Sequence, residues 1–261
     1  SLILLLTAAI WGMAFVSQSK GMDYMHPFTF NGVRSLIGAA SILVYILISR
    51  KIAGDKAAPL DWKLNVKAGL LGGIFLTIAS TLQQFGIKYT SVGKAGFITT
   101  LYIIFVPMFG IFLKKKVAPV VWVAAVMAAV GMYLLCMTES LRLGAGDIMV
   151  FLCAIAFAIQ IMTVDHYAAR IDGAVVSCIQ FTVCGVVCCI GALIWGQPTF
   201  GQLQEGLGAL LYAGVLSCGV GYTLQIVGQK GLNPTVAALI MSLESVIATI
   251  SGWIAYKIGF L

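Results

Sequence analysis

The sequence predicts an all-α polytopic membrane protein built from two inverted five-helix repeats. Its composition, a series of long apolar runs and an internal repeat lead to this prediction. Hydrophobic residues make up 61% of the 261 residues and charged residues only 10%, whereas a soluble domain carries roughly 25% charged residues. Most of the chain is therefore expected to lie in lipid.

Nine apolar runs are long enough to cross a bilayer, since a helix needs about 20 residues to span the ~30 Å hydrocarbon layer. The runs are continuous rather than alternating, so they predict helices and not strands. No independent soluble domain is expected, because the longest polar stretch is Arg50 to Asn65. The predicted spans, numbered 1 to 9, cover residues 2–19, 28–49, 66–87, 92–113, 119–137, 147–165, 174–195, 206–228 and 234–256.

Basic residues between the spans predict a cytoplasmic N-terminus in an inner or plasma membrane, because cytoplasmic connections carry the excess of Lys and Arg. The net charge of +7 is attributed to this orientation rather than to nucleic-acid binding. The cytoplasmic connections would hold 10 basic residues: Arg50, Lys51, Lys56, Lys63, Lys67, Lys114, Lys115, Lys116, Arg170 and Lys230. The outer ones would hold 4: Lys20, Lys88, Lys94 and Arg142.

An internal repeat relates the two halves of the chain at an offset of 142 residues. The register holds without a gap from Gly72/Gly214 to Lys115/Lys257, with 11 identities over 44 positions. Span 3 matches span 8 and span 4 matches span 9, so one unit contains five helices. Because five is odd, the second copy must enter the membrane from the opposite side, as in many secondary transporters. The predicted repeats are residues 1–138 and 139–261.

The repeat also bears on the helix count. The mate of span 5 would fall near residues 261–279, past the last residue of this sequence. A tenth helix is therefore expected beyond it, and a protein that works with nine helices is the alternative.

Two ionisable residues lie well inside predicted spans, where a charge is expensive and a function is the default hypothesis. Glu244 is near the middle of span 9, and the repeat pairs it with Tyr102. A carboxylate facing a phenol at mid-depth could bind a cation, a proton or a substrate amine; the alternative is a structural hydrogen bond between helices. Arg34 could have a structural role or extend outward as an anchor, or it could bind a substrate anion or Glu244.

Polar side chains follow one face of three spans, where they should meet a partner helix or a water-filled cavity rather than lipid. Three such stripes converging on the repeat helices favour a cavity. They are Thr77, Thr81, Gln84 and Lys88 on span 3; Tyr222, Gln225 and Gln229 on span 8; and Thr7, Trp11 and Gln18 on span 1.

Other motifs give weaker signals. Pro107 would kink span 4 or free a carbonyl. The seven cysteines lie in apolar runs without Cys-x-x-Cys spacing, so neither a metal site nor any cofactor is expected. Gly144–Asp147 spells the Gly-x-Gly-Asp of intramembrane aspartyl proteases, but that chemistry needs a second aspartate at similar depth. Asp147 is instead interpreted as a helix N-cap, and no enzymatic activity is expected.

A series of short motifs runs along the chain in a characteristic order: Ala9–Phe15, Gly21, Pro27–Asn31, Arg34, Tyr89–Phe97, Pro107, Gly146–Asp147, Asn233–Pro234, Ala237–Leu239 and Ser242–Glu244. Their order and spacing resemble EamA-type transporters of the drug/metabolite transporter superfamily over essentially the whole chain. The resemblance implies ten helices in two inverted repeats, a central cavity walled by helices 1, 3, 4, 6, 8 and 9, and export or exchange of amino acids, metabolites or amines without ATP. Two features depart from the pattern: Ser245 replaces a common proline, and the Gly-Glu pairs after helices 4 and 9 are absent.

The sequence therefore predicts a membrane carrier that moves a small polar metabolite by alternating access, with the lipid bilayer and the small-molecule substrate as its partners. A proton or coupling ion is a further candidate partner, and a monomer and a homodimer are both open. A membrane structural or accessory protein with a closed core is the alternative, and a channel a weaker one. The predicted substrate or coupling residues are Glu244, Tyr102, Trp11, Gln84, Tyr222, Gln225 and Arg34.

Overall fold

The computed structural model describes residues 2–54, 59–112 and 144–260, with scattered positions between 119 and 134. Within these residues, eight helices are long and apolar enough to cross a membrane. They correspond to predicted spans 1–4 and 6–9, whereas predicted span 5 (119–137) lies mostly outside the described residues. The helices are α1 (Leu2–Gly21), α2 (Pro27–Ala53), α3 (Trp62–Ile87), α4 (Val92–Phe112), α5 (Ala145–Arg170), α6 (Gly173–Gly196), α7 (Leu207–Gln229) and α8 (Pro234–Lys257).

Apart from the short 3₁₀ and π-helical turns that end α5 and α6, three helices depart from regular α-helix in their interior, and these departures bear on the cavity. Helix α4 consists of Val92–Thr99 and Tyr102–Phe112, and helix α8 consists of Pro234–Met241 and Glu244–Lys257. Helix α7 is π-helical over Tyr212–Gly221, an unusual geometry that is frequent at functional sites.

Side-chain caps set where the helices begin, because the first N–H groups of a helix have no partner inside it. The Asp61 carboxylate accepts from the Leu64 N–H at 3.0 Å at the start of α3. The Asp172 carboxylate accepts from the Ala174 N–H at 3.0 Å at the start of α6. Asn233 does the same at the start of α8, followed by Pro234 at the first helical position, where proline fits best.

The helices matched by the internal repeat run in opposite directions. Asn65 at the start of α3 accepts from the Asp172 N–H at 2.9 Å, and Lys230 just after α7 donates to the Ile171 carbonyl at 3.1 Å. The start of α3 and the end of α7 therefore lie at the same end of the bundle, called here the Arg50 end. The predicted inversion of the repeats is confirmed for these helices.

At the opposite end, called the Lys94 end, α3 packs closely against α5. A Cβ atom on Gly86 would lie 2.8 Å from the Gly146 carbonyl oxygen, and the converse distance is also 2.8 Å. Only glycine at both positions lets the two backbones approach this closely. Beside this contact, the buried Lys94 ammonium pairs with the Asp147 carboxylate at 2.7 Å.

Candidate functional site

Helices α4 and α8 are interrupted at equivalent positions of the repeat. The α-helical stretches stop before Thr100–Leu101 in α4 and before Ser242–Leu243 in α8, which are 142 residues apart. Each resumes with a residue predicted for the site, Tyr102 in one copy and Glu244 in the other. Discontinuous helices near mid-membrane commonly form the binding sites of secondary transporters.

The hydrogen bonds at the two breaks are the same in both copies. Backbone N–H groups donate to the carbonyl three residues back instead of four, as in a tight 3₁₀ turn. The matched pairs are Leu101→Ile98 (3.1 Å) with Leu243→Ile240 (3.4 Å), and Ile103→Thr100 (3.0 Å) with Ser245→Ser242 (3.1 Å). The Thr100 hydroxyl donates to the Phe97 carbonyl and the Ser242 hydroxyl to the Leu239 carbonyl, both at 2.8 Å, so each break carries its own hydroxyl partner.

A cavity of about 40 Å³ lies between the breaks, enough for ordered water. The six helices predicted to wall a cavity all contribute to it, and α2 and α6 each add one residue. Its lining residues are Trp11, Ala14, Phe15, Gln18, Arg34, Ser80, Gln83, Thr99, Tyr102, Phe157, Gln160, Ile161, Phe181, Ser217, Cys218, Tyr222, Gln225 and Glu244.

Glu244 and Tyr102 form the acidic side of the cavity. The Glu244 carboxyl lies beside the Tyr102 hydroxyl, and both residues are almost completely buried. The Tyr102 hydroxyl makes no well-formed hydrogen bond with any described residue. Among the described residues, no Lys, Arg or His nitrogen lies within 4.0 Å of the Glu244 carboxyl. A carboxyl and a hydroxyl are thus available to a ligand at the same wall.

Arg34 forms the basic side of the cavity and is only 4% exposed. Its side chain therefore does not reach the membrane surface, and the anchoring interpretation of Arg34 is wrong. Its Nε donates to the Asn31 side-chain oxygen at 2.9 Å. The Asn31 amide in turn donates to the Ser80 hydroxyl at 3.1 Å and the Cys188 thiol at 3.2 Å. This network fixes the guanidinium through one of its five N–H groups and leaves the others for the cavity.

Aromatic side chains line the same cavity as Arg34 and Glu244, among them Trp11 and Tyr222. The Trp11 ring contacts the Tyr222 ring at a centroid distance of 4.6 Å, and its indole N–H donates to the Ser217 carbonyl in the π-helical stretch at 3.4 Å. An aromatic wall of this kind can contact the face of a bound cation or the carbon skeleton of a ligand.

Three buried glutamines from α5, α6 and α7 form a chain of amides that ends at the cavity. Gln225 donates to the Gln160 oxygen at 3.5 Å, and Gln160 donates to the Gln180 oxygen at 3.1 Å. The Gln225 side-chain oxygen, and that of Gln18 across the cavity, have no hydrogen-bond donor among the described residues. Buried acceptors are rarely left without a donor, so both oxygens are candidates for ligand binding.

Six of the seven predicted site residues line the cavity, and Gln84 does not. The Gln84 amide donates to the Gln18 backbone carbonyl at 3.2 Å, whereas its neighbour Gln83 lines the cavity and donates to Thr99. Adjacent residues on a helix differ by about 100° in direction. The internal repeat already pairs Gln83 with Gln225, so that signal was present in the sequence.

Other polar residues predicted on the span 3 face lie outside the cavity. Thr77 donates to the Gly73 carbonyl of its own helix at 2.6 Å, and Thr81 contacts Asn31 and Cys188. The interruption of α4 lies at residues 100–101 and not at Pro107, since the helix continues through that proline. Sequence reasoning missed the breaks, Gln83, Gln160, Ser217 and Phe181.

Asp147 makes contacts that hold the start of α5 in place. Gly144 is the N-cap of α5 and Asp147 is the third helical residue, so the N-cap assignment was wrong. The helix begins two residues earlier than predicted, and the carboxylate reaches back to the Gly144 N–H at 2.9 Å. It also accepts from Thr90 and Lys94, both at 2.7 Å. Among the described residues, no three His, Cys, Asp or Glu side chains come together as metal ligands.

In the described residues, eight apolar helices, inverted matched pairs and a polar cavity between two broken helices define a multi-pass membrane protein of the architecture that many secondary transporters have. The EamA-like transporter family model matches residues 1–137 and again 144–260. The chain belongs to this family, and the resemblance seen in the motifs is confirmed. Each half of the chain matches the same model, as expected for a repeat.

Relatives and a solved structure agree with this assignment. An uncharacterized transporter of Archaeoglobus fulgidus is 31% identical over 166 residues, which cover 63% of this chain but only 48% of that protein. The uncharacterized transporter YwfM of Bacillus subtilis is 27% identical over 97% of this chain and 84% of its own length. One crystal structure superimposes with a TM-score of 0.74 at 18% identity, covering 100% of this chain and 88% of that chain, which shows the fold alone.

Proposed function

We propose that this transporter binds a small zwitterion of the amino-acid type in its central cavity and moves it across the membrane by alternating access. The substrate carboxylate would meet the Arg34 guanidinium, and the substrate ammonium would meet Glu244. A primary ammonium has three N–H donors, and the cavity offers the Glu244 carboxyl with the side-chain oxygens of Gln18 and Gln225.

The observation that carries this proposal is the placement of a basic and an acidic side chain in one cavity. Arg34 and Glu244 line one small cavity, yet they form no salt bridge with each other or with another described residue. Burying an ionisable group without an ionic partner is costly, and a zwitterion in the cavity would supply a partner of opposite charge to each. A closed-core accessory protein offers no reason to keep acceptors and opposite charges apart around a cavity.

Residues 1–138 and 139–261 would be the two units that move relative to each other. The protein would lie in an inner or plasma membrane with the Arg50 end in the cytoplasm, and it would work as an exporter or exchanger. The cavity volume favours a small substrate over a bulky amphiphile.

A matched ligand series tests the assignment on purified protein. Thermal shift would compare a small neutral amino acid, the amine that lacks its carboxylate and the acid that lacks its ammonium. We expect the amino acid alone to stabilise the wild type. Glu244→Gln should lose the preference for the ammonium, and Arg34→Gln the preference for the carboxylate. Equal stabilisation by all three compounds, or by none of them, would contradict the zwitterion assignment.

A further inference from the structure

A second pocket, the basic pocket, lies at the Arg50 end of the bundle. Its volume is about 530 Å³, and it opens where α2 ends, α3 begins, α5 turns into α6 and α7 ends. It shares no lining residue with the central cavity among the described residues. The basic pocket is therefore a separate site with a chemistry of its own.

Cationic side chains from three parts of the chain converge on the basic pocket: Arg50 from α2, Arg170 from the end of α5 and Lys230 from just after α7. Two carboxylates, Asp61 and Asp172, also line it, but both are engaged as helix N-caps. A capping carboxylate is already compensated by the N–H groups and the dipole of its helix. The remaining field in the pocket is therefore positive.

The three cationic side chains retain N–H groups that could donate hydrogen bonds to a ligand. Lys230 uses one of its three N–H groups on the Ile171 carbonyl, at 3.1 Å. Arg50 faces Asp172 at 3.7 Å, which is an ion pair but longer than a hydrogen bond. Arg170 is exposed and forms no salt bridge with a described residue. An anion with several oxygens could accept from all three side chains.

One side of the basic pocket continues onto an apolar surface. Tyr45 and Ile46 of α2 line the pocket, and Tyr45 together with Val44, Leu47 and Ile48 is more than half exposed. In a membrane this surface faces acyl chains. The pocket thus places cations at the level of the headgroups, directly beside a surface for hydrocarbon.

We propose that the basic pocket binds the phosphate of an anionic phospholipid, with the acyl chains along the exposed face of α2. Basic pockets between transmembrane helices on the cytoplasmic side are suited to anionic headgroups, and the positive-inside orientation places this pocket there. This site is separate from the proposed transport function and does not depend on it.

Native mass spectrometry of the detergent-purified full chain tests the proposal with phosphatidylglycerol, which is anionic, against phosphatidylcholine, which is zwitterionic. We expect the wild type to retain phosphatidylglycerol selectively. Removing two charges by Arg170→Gln with Lys230→Gln should lower its affinity about 30-fold. Arg170→Gln alone, which changes only an exposed side chain, should lower it about fivefold if the double variant fails to fold.

Lys88→Gln is the matched control, because Lys88 is the repeat mate of Lys230 at the opposite end of the bundle. It should bind phosphatidylglycerol as the wild type does. Equal retention of both lipids, or an undiminished affinity in Arg170→Gln, would overturn the proposal. Thermal stabilisation by inorganic phosphate without lipid retention would also overturn it and would assign the pocket to a soluble anion.

Discussion

The two broken helices, α4 and α8, have the same backbone arrangement at the break but different side chains after it. At 142-residue spacing, α4 and α8 stop at the same position, use the same three-residue hydrogen bonds and fix the break with a hydroxyl at 2.8 Å. After the break, α4 continues with Tyr102 and α8 with Glu244. The comparison teaches that the repeat preserves the backbone of the two breaks, whereas the side chain that follows each break differs between the copies; in the proposed function, this difference determines what each copy contributes to ligand binding.

The largest expected effect comes from replacing the ionisable carboxyl of Glu244, the residue that follows the break in α8. Glu244→Gln keeps the shape of the side chain but removes its negative charge, so counterflow of an amino-acid substrate in proteoliposomes should fall at least about 100-fold, since a buried ionic partner contributes several kcal/mol. Glu205→Gln, on an exposed short helix, is the matched control and should transport normally. Unchanged flux in Glu244→Gln would remove the carboxyl from the mechanism.

Substitution of Tyr102, the equivalent residue in α4, should have a smaller effect on transport. Tyr102→Phe deletes a hydroxyl that has no well-formed protein partner. The substitution should therefore weaken ligand binding rather than the folded protein without ligand. We expect substrate affinity to drop about tenfold, as for a hydrogen bond to a charged group, with little change in thermal stability. Tyr256→Phe, which is highly exposed, should match the wild type. A Tyr102→Phe effect as large as that of Glu244→Gln would contradict the proposal that Glu244 contributes more to ligand binding than Tyr102 does.

Because the two breaks have the same backbone arrangement, removing the hydroxyl should destabilise both copies equally. Thr100→Val, which keeps the buried methyl group, and Ser242→Ala each delete one hydroxyl-to-carbonyl bond, so each should cost about 1 kcal/mol and lower the unfolding temperature by roughly 2–4 °C. Thr182→Val deletes a bond of the same length inside the unbroken part of α6, where the carbonyl keeps its backbone partner, and should cost less. Clearly unequal losses for Thr100→Val and Ser242→Ala would show that the breaks are not equivalent.

The smallest predicted effect lies outside the breaks, at the Lys94 end. Burial and the nearby Lys88 lower the pKa of His26 below its ordinary value of 6.5, and its neutral Nδ1 accepts from the Phe28 N–H at 3.3 Å. The unfolded chain then binds the proton more readily than the folded one. Stability should therefore fall slightly as pH drops through 6.5 towards the folded pKa. His26→Gln should flatten this part of the stability curve, as measured by thermal unfolding at a series of pH values.

Sequence alone predicted the parts of the fold that depend on hydropathy and periodicity. The described spans follow the predicted ones to within a few residues, and the inversion followed from the odd number of helices per unit. Charged and aromatic side chains inside apolar runs can also be recognised in the sequence. Five candidate site residues were predicted in this way: Glu244, Arg34, Trp11, Tyr102 and Tyr222. A buried polar group in lipid has few explanations other than a partner or a cavity.

The breaks were not predicted, because the residues at them, such as Thr100 and Ser242, do not include the Gly or Pro that usually signals an interruption. Their hydroxyls at equivalent repeat positions were the available signal. The sequence could not show that Gln83 rather than Gln84 lines the cavity, because the direction of a side chain around a helix depends on the rotation of that helix in the bundle, which packing sets. Gln160 and Gln180 were missed because each stands alone in its span rather than in a stripe.

Accessibility at Gln225 tests the central claim most directly, since this residue ends the amide chain between the two breaks. In proteoliposomes, Gln225→Cys would be exposed to a membrane-impermeant thiol reagent, with labelling at this position read by peptide mass spectrometry so that the native cysteines can remain. A water-reachable transport site predicts labelling that slows when an amino-acid substrate is added. A cysteine that stays unlabelled with reagent on either side of the membrane, in folded protein, would contradict the account.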